Sequence, residues 1–317
     1  MKQYRLLVIL GLLIFVLGAC GTSDDEQGSE NNDSEEQSET VTIEHELGTT
    51  EIEKNPEKIV VFDFGILDSL DKLGIDVAGL PQAIVPSYLE KYDSDEYENV
   101  GSLKEPDFEK IAEIDPDLII ISSRQSDLYD QFKEITDNTI FLGVDATRYM
   151  DSFEENMHVL GEVFEKESEV EEELSSIETS INDLNERASN SDKESLIILA
   201  NDDKISAYGP SSRFGLIHDV FGVKATDENI EASTHGKNVS FEYVKEQNPD
   251  ILYVIDRGAA IGEESSAKAI VENKLVENTN AYKNDDIVYL DPEFWYLSGG
   301  GLISVEEMVE EINASIE

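Results

Sequence analysis

Two hydrophobic patterns alternate along the chain from about residue 41. Short continuous apolar runs are typical of strands buried on both faces of a sheet, and apolar residues spaced every three or four positions are typical of amphipathic helices. This alternation predicts βαβ units and a largely parallel sheet. The predicted strands are 58–63, 118–122, 139–143, 195–200, 204–208, 251–255 and 287–290, and two of the predicted helices are 65–73 and 107–114.

The pattern changes between residues 151 and 188. This stretch has no proline and one glycine, Gly161, and its apolar residues recur in steps of four and three. Asp151 and Glu154 resemble a capping box at its start. We therefore predict one helix of about 38 residues, about 55 Å long, with room for a single bend. Because a βα crossover needs far less, we interpret it as a rigid connector between two lobes.

The second half of the chain repeats the first in detail. Each half contains Phe-Glu followed by a Pro-Asp pair that opens a buried strand, and an arginine follows that Asp by seven positions. Equivalent residues are separated by 133 positions, and their fixed register favours internal duplication. The repeated residues are Phe108 and Phe241, Glu109 and Glu242, Pro116 and Pro249, Asp117 and Asp250, and Arg124 and Arg257.

The repeat predicts where a ligand would bind. In parallel α/β folds, ligands lie beyond the carboxyl ends of the strands, and Arg124 and Arg257 follow two such ends. Arg213, in a loop after a predicted strand, is a third candidate for the same cleft. A guanidinium group suits anionic oxygens and also stacks on aromatic rings. The alternative is that each arginine pairs with one of the many neighbouring carboxylates.

These observations predict an α/β fold of two Rossmann-like lobes with mostly parallel sheets, joined by one long helix, with the ligand cleft between the lobes. The expected division is a signal peptide at 1–19, a lipidated acidic tether at 20–40, an N-terminal lobe at 41–150, an inter-lobe helix at 151–189 and a C-terminal lobe at 190–317.

The first forty residues predict an anchored extracytoplasmic protein. Two basic residues precede a short apolar run, as in signal peptides. Leu17 to Cys20 resembles the bacterial lipobox, which implies that Cys20 becomes lipidated, for example by palmitate. The segment from Gly21 to Thr40 has no basic or bulky apolar residue and predicts a disordered tether. We expect a monomer held at the outer face of the cell membrane.

Composition and the absence of certain motifs exclude several classes of function. The formal net charge is −48, which argues against nucleic acid as a partner and fits a saline or alkaline medium. Cys20 is the only cysteine, so disulfides, cysteine–zinc sites and thiol nucleophiles are excluded. The motifs G-x-S-x-G and H-E-x-x-H are also absent, and we expect no enzymatic activity.

Two C-terminal loops carry candidate metal and aromatic ligands. His235 lies in a loop of small residues with no apolar periodicity, so its ring is equally suited to a functional or a structural role. Trp295 and Tyr296 follow the last predicted strand and precede a glycine-rich stretch, which favours a ligand-lining loop over a packed hydrophobic corner. Imidazole and phenolate are both metal donors, and phenolate suits Fe³⁺.

From about Val41 onward the chain resembles the class III solute-binding proteins of ferric-siderophore ABC importers. The likeness is strongest to the branch that binds ferric catecholates such as petrobactin. It is carried by the segments Phe62–Asp68, Ser122–Arg124, Tyr208–Gly215, Thr234–Gly236, Asp256–Gly258 and Phe294–Leu297.

The resemblance implies a role for each candidate residue. Three arginines of that branch hold catecholate oxygens, and they fall on Arg124, Arg213 and Arg257. Trp295 is a further candidate siderophore-binding residue on the evidence of its loop alone. In some members a His and a Tyr complete the shell of the siderophore's Fe³⁺, and they fall on His235 and Tyr296. The family docks onto its permease with one surface glutamate per lobe, which here implies Glu109 and Glu242. No intrinsic cofactor is expected, because the Fe³⁺-siderophore is the transported ligand.

Three other interpretations can be drawn from the residues alone. A haem, cobalamin or hydroxamate-siderophore carrier would use the same scaffold. A lipid-anchored hydrolase or a purely structural surface protein would belong to a different class, but no catalytic grouping supports the first and the duplicated arginines disfavour the second.

Overall fold

A computed structural model describes residues 39–263 and 266–316. The predicted signal peptide, Cys20 and nearly all of the predicted tether lie outside the described residues. Across the described ranges, no helix combines the length and the apolar character needed to cross a membrane.

The described residues form thirteen strands and eleven α-helices, connected by short 3-10 turns and one π-turn. The strands are β1 Thr40–His45, β2 Gly48–Glu53, β3 Ile59–Val61, β4 Gly79–Leu80, β5 Glu98–Asn99, β6 Leu118–Ile121, β7 Thr139–Phe141, β8 Glu194–Asn201, β9 Lys204–Tyr208, β10 Lys224–Ala225, β11 Lys237–Val239, β12 Ile251–Asp256 and β13 Ile287–Leu290. The α-helices are α1 Phe64–Lys72, α2 Phe108–Ile114, α3 Tyr129–Lys133, α4 Tyr149–Phe164, α5 Glu167–Asn190, α6 Leu216–Asp219, α7 Phe241–Gln247, α8 Arg257–Ala260, α9 Ala267–Val271, α10 Asn280–Lys283 and α11 Leu302–Ser315.

The first sheet is parallel throughout, with the strand order β5-β4-β3-β6-β7. Its two central strands are fully buried, because their apolar residues face helices on both sides. From β3 the chain adds β4 and β5 on one side of the sheet and then β6 and β7 on the other. The carboxyl ends of β3 and β6 at this topological switch point leave a crevice between the loops that follow them. Arg124 follows β6 at this edge.

The second sheet is mostly parallel, as the sequence predicted, but one of its strands, β9, is antiparallel to its neighbours. Strand β8 pairs in parallel with β12, which pairs in parallel with β13, but β9 runs antiparallel to both β8 and β11. The cause is local. Strands β8 and β9 are joined by a two-residue turn with Asp202 at φ 54°, and so short a connection forces a hairpin.

The predicted connecting helix is two helices, α4 and α5. Glu165 adopts a left-handed conformation that ends α4, and Gly161 lies so close to Glu167 that a side chain there would crowd it. Asn55 stabilises the break, because its backbone N–H donates to the Val163 carbonyl and its side chain donates to Glu165. The predicted capping box is also wrong, since α4 begins at Tyr149 and Asp151 lies within its first turn. The predicted domain boundaries themselves stay a prediction.

The sequence repeat has a structural counterpart. Helices α2 and α7 have the same length, and each ends in a left-handed residue, Asp115 or Asn248, immediately before the Pro-Asp pair. Asp117 and Asp250 then bind the strand beside their own. The backbone N–H of each donates to the carbonyl of Lys58 or Glu194, and its side chain accepts from the same residue's backbone N–H. The repeated aspartate therefore sets the start of one central strand pair in each sheet.

One apolar cluster runs through the described chain and includes residues of both sheets and of α4, α5 and α11. Helix α11 begins against α1, where the buried carboxylate of Asp68 accepts hydrogen bonds from the backbone N–H groups of Ile303 and Ser304. Burial raises the pKa of Asp68 to about 7, although these bonds act in the opposite direction. Gly301 has no side chain to clash with the carboxylate, so the helix terminus approaches it closely. The last helix is thereby fixed to the first.

Candidate functional site

The structure places the three candidate arginines at strand ends. Arg124 lies three residues beyond β6, Arg257 directly follows β12, and Arg213 lies in the loop that follows β9. Each of the three residues is partly exposed. The sequence distance between them reaches 133 positions, so only the fold can bring them together.

All three guanidinium groups contact one residue, Tyr296. The backbone carbonyl oxygen of Tyr296 accepts a hydrogen bond from Nη2 of Arg124 at 2.9 Å and from Nη2 of Arg213 at 2.8 Å. The Arg213 guanidinium also lies over the Tyr296 ring, with its carbon 4.2 Å from the ring centroid. Two cationic groups from different sheets therefore share one neutral acceptor.

The third arginine contacts the phenol of the same residue. Nε of Arg257 donates to the Tyr296 hydroxyl oxygen at 3.1 Å, and Nη1 of Arg257 donates to Oδ1 of Asn201 at 2.9 Å. Asn201 ends β8, the strand beside β12, so it lies next to the point where Arg257 leaves its own strand. Sequence reasoning missed Asn201, because a lone asparagine at a strand end carries no pattern.

No carboxylate of the described residues forms an ion pair with the arginine cluster. Within the described ranges, no Asp or Glu oxygen lies within 4.0 Å of a guanidinium nitrogen of Arg124, Arg213 or Arg257. Burial, and after it the charge of Arg124, lowers the pKa of Arg213. In a chain with a net charge of −48, this local positive charge favours an anionic ligand.

The cluster also changes the acidity of the phenol. Burial alone raises the pKa of Tyr296, but the positive charges and hydrogen bonds of Arg213 and Arg257 outweigh it, so the pKa lies below the ordinary value of 10.0. A phenol of lower pKa loses its proton more readily, and a hard cation bound to the oxygen would lower the pKa further. Tyr296 thus has the electrostatic surroundings of a metal-binding phenolate.

A π-turn, Glu293–Leu297, presents Tyr296 to the arginines. The turn is closed by the backbone N–H of Ser298, which donates to the Glu293 carbonyl oxygen at 3.0 Å. Single π-turns are uncommon and often occur at functional sites. The sequence predicted a loop here and gave no sign of this wider turn.

His235 lies on a loop beside Arg213. Its ring is exposed, and its backbone N–H donates to the Ser233 side chain. The Ser233 carbonyl oxygen accepts from the backbone N–H of Arg213 at 3.5 Å. Gly236, at φ 69°, follows His235 and packs against the Tyr208 ring, where any side chain would clash. The loop conformation thus keeps His235 exposed, on a loop whose backbone contacts that of Arg213.

The other candidate residues lie outside this contact network. Trp295 is only 3% exposed, and its indole N–H donates to Oε2 of Glu311 at 2.6 Å, so the packing alternative is favoured over ligand contact. Glu109 and Glu242 are exposed in the first turns of α2 and α7. Since each helix leads into the start of the strand that follows it, its first turn lies towards the carboxyl end of that strand, the edge that carries the arginine.

The arrangement can hold an anion with aromatic or oxygen-rich character, but it is not a protein-only metal site. In the part of the chain that the structure describes, no group of three or more His, Cys, Asp or Glu side chains is placed to hold a metal ion. His235 and Tyr296 would supply two donors at most.

The sequence was compared with family profiles and with known proteins. The sequence profile of the family described as "Periplasmic binding protein" matches residues 59–294. The petrobactin-binding protein YclQ of Bacillus subtilis is 52% identical over the full length of both chains, and the ferric-anguibactin-binding protein FatB of Vibrio anguillarum is 29% identical over 86% of each.

Solved structures agree with these relatives. The crystal structure of YclQ superposes with a TM-score of 0.86 at 55% identity and covers 88% of this chain and 99% of its own. The catecholate-siderophore-binding protein VctP of Vibrio cholerae superposes with a TM-score of 0.83 at 36% identity and covers 87% and 100%. The predicted α/β binding-protein fold is therefore confirmed.

We expect the Arg257→Gln variant to raise the pKa of one tyrosine in the ligand-free protein, because Tyr296 loses one of the cations that stabilise its phenolate. An ultraviolet difference titration checks this. The low-pKa phenol should be absent in Tyr296→Phe, which identifies it. Identical titration curves for wild type and Arg257→Gln would contradict the contact.

Proposed function

The chain belongs to the periplasmic binding protein family, and on this premise we propose that it captures ferric catecholate siderophores and delivers them to an ABC permease for iron uptake. The family binds solutes and is not catalytic, and its ferric-siderophore-binding members carry the complex as a transported ligand. Homologues are extracytoplasmic, and some are lipoproteins.

The cluster of Arg124, Arg213 and Arg257 is the observation that carries the proposal. A ferric catecholate complex presents several anionic oxygens on flat aromatic rings, and guanidinium groups match both features. The three groups come from both sheets and have no carboxylate partner in the described ranges, so their charge is available to the ligand. Relatives named for petrobactin and for a catecholate siderophore fit the same chemistry.

We propose a second role for His235 and Tyr296. A tetradentate siderophore leaves two positions on Fe³⁺ open, and an imidazole nitrogen and a phenolate oxygen would fill them. The lowered pKa of Tyr296, which its arginine neighbours cause against the effect of burial, supports this assignment. The exposed ring of His235, on the loop beside Arg213, is free to turn towards a bound complex.

Docking and anchoring complete the proposal. Glu109 and Glu242 occupy equivalent first turns of repeated helices, both exposed, and two matched carboxylates suit a pair of basic pockets on a permease. Lipidation at Cys20 would hold the protein on the outer face of the membrane near that permease. Such tethering raises the local concentration of the two partners.

The Arg124→Ala variant should bind both a tetradentate ferric bis-catecholate and a hexadentate ferric tris-catecholate about 10–100-fold more weakly, because a charge-assisted hydrogen bond contributes about 1.5–3 kcal/mol. Absorbance titration with purified protein measures the affinities. Arg187→Ala, which removes an exposed arginine of α5, is the matched control. Failure of the wild-type protein to bind either complex would refute the proposed function.

Direct coordination predicts a difference between the two complexes. Tyr296→Phe and His235→Ala should each shift the charge-transfer band of the bound tetradentate complex, since an iron ligand is lost. The same variants should leave the band of the hexadentate complex nearly unchanged, because its iron is already saturated. If the tetradentate band does not move, neither residue is an iron ligand.

Delivery can be separated from capture in living cells. The double variant Glu109→Lys, Glu242→Lys should bind ferric catecholates normally in solution but support much less uptake of radiolabelled iron. Glu246→Lys, an exposed glutamate further along α7, should not affect uptake. Normal uptake by the double variant would exclude these glutamates from docking.

Anchoring has a separate test. The Cys20→Ser variant should release the protein into the medium.

A further inference from the structure

Glu311, on the last helix, binds both ends of the segment that precedes Tyr296. Its Oε1 accepts a hydrogen bond from the backbone N–H of Asp291 at 2.9 Å, and its Oε2 accepts one from the indole N–H of Trp295 at 2.6 Å. Both carboxylate oxygens are therefore used, and the two donors lie four residues apart on the same short segment.

The segment between these donors is closed by bonds of its own. The Asp291 side chain accepts from the backbone N–H of Glu293 at 2.9 Å, and the Asp291 carbonyl accepts from the backbone N–H of Trp295 at 3.1 Å. The segment therefore holds its shape internally, and Glu311 fixes it as a unit to α11. Tyr296 is the next residue, so its backbone and ring directions follow from where the unit is held.

Helix α11 is itself a fixed support. Asp68 binds its first turn, and its apolar face packs within the main core against α5. A side chain on this helix can therefore hold the turn with little freedom. Metal ligands are sensitive to such support, and loss of a residue that orients a ligand typically lowers metal affinity about 10–100-fold.

We propose that Glu311 is a positioning residue that holds the π-turn so that the Tyr296 phenol faces Arg257 and an incoming iron. This inference rests on the proposed function, in which Tyr296 coordinates the Fe³⁺ of a tetradentate siderophore. Glu311 does not touch the ligand, and it acts on coordination through Trp295 and the backbone of Asp291.

The Glu311→Gln variant tests this with a minimal change of shape. An amide has one accepting oxygen, and its NH2 group would face one of the two N–H donors, so one bond is lost and a donor is left unpaired. Glu310→Gln makes the same change at the adjacent residue of α11, which is exposed, and is the matched control.

The contact can be observed without any ligand. Trp295 is the only tryptophan, so the protein gives a single indole N–H signal in a ¹H–¹⁵N spectrum. A short bond to a carboxylate moves that signal downfield, and we expect it to move back in Glu311→Gln and to stay in place in Glu310→Gln. An unchanged signal in Glu311→Gln would overturn the proposed contact.

Binding separates positioning from general support of the fold. Glu311→Gln should weaken binding of the tetradentate complex about 10–100-fold and shift its charge-transfer band. Affinity for the hexadentate complex should stay within about threefold of wild type, because Tyr296 is not needed as an iron ligand there. Equal losses for both complexes would show a merely structural role and would overturn the inference, and so would no loss for either.

The outcome is distinguishable from failure of the proposed function, in which the wild-type protein itself would bind neither complex.

If Glu311→Gln does not fold, Trp295→Phe replaces it, because it removes one donor and leaves the carboxylate bonded to Asp291. This variant should show the same selective loss for the tetradentate complex. When both single variants fold, the double variant Glu311→Gln, Trp295→Phe should lose less binding free energy for the tetradentate complex than the two single variants lose in sum. Strictly additive losses would contradict a shared contact.

Discussion

The architecture of the site depends on the sharing of one tyrosine by three guanidinium groups. Burial, and after it the like charge of Arg124, lowers the pKa of Arg213, so holding these cations together opposes their charged state. The carbonyl oxygen of Tyr296 accepts from two of the groups, and its hydroxyl accepts from the third. These acceptors let the cations converge without a carboxylate partner among the described residues, so their positive charge is not cancelled.

The two sheets supply this convergence through ordinary strand geometry. Arg124 leaves the first sheet at a switch point, and Arg257 leaves the second at the equivalent strand. Arg213 and Tyr296 come from segments that the repeat does not duplicate, and Tyr296 fills the space between the duplicated pair. The first half of the chain therefore contributes one cation, and the second half contributes two cations and the tyrosine.

The acidity of the chain and the basic character of the site act over different distances. With a net charge of −48 the protein repels anions at long range, but physiological salt screens such fields beyond about 8–10 Å. At the candidate site, three guanidinium groups converge on Tyr296. The local positive charge therefore favours an anion at short range, while the overall charge acts on the rate of approach and on solubility.

The sequence by itself determined the buried strands, the helices between them, the repeat and the position of each arginine at a strand end. These features depend on neighbours in the chain, through apolar periodicity and fixed spacing, so they leave a readable pattern. Only the tertiary structure decided the break at Glu165, which needs a bond from Asn55, and the contacts that Tyr296, Asn201 and Glu311 make. Those contacts join residues far apart in the chain, and several use backbone atoms, which every residue has. A backbone acceptor gives no signal in a sequence, because its role is set by where the fold places it.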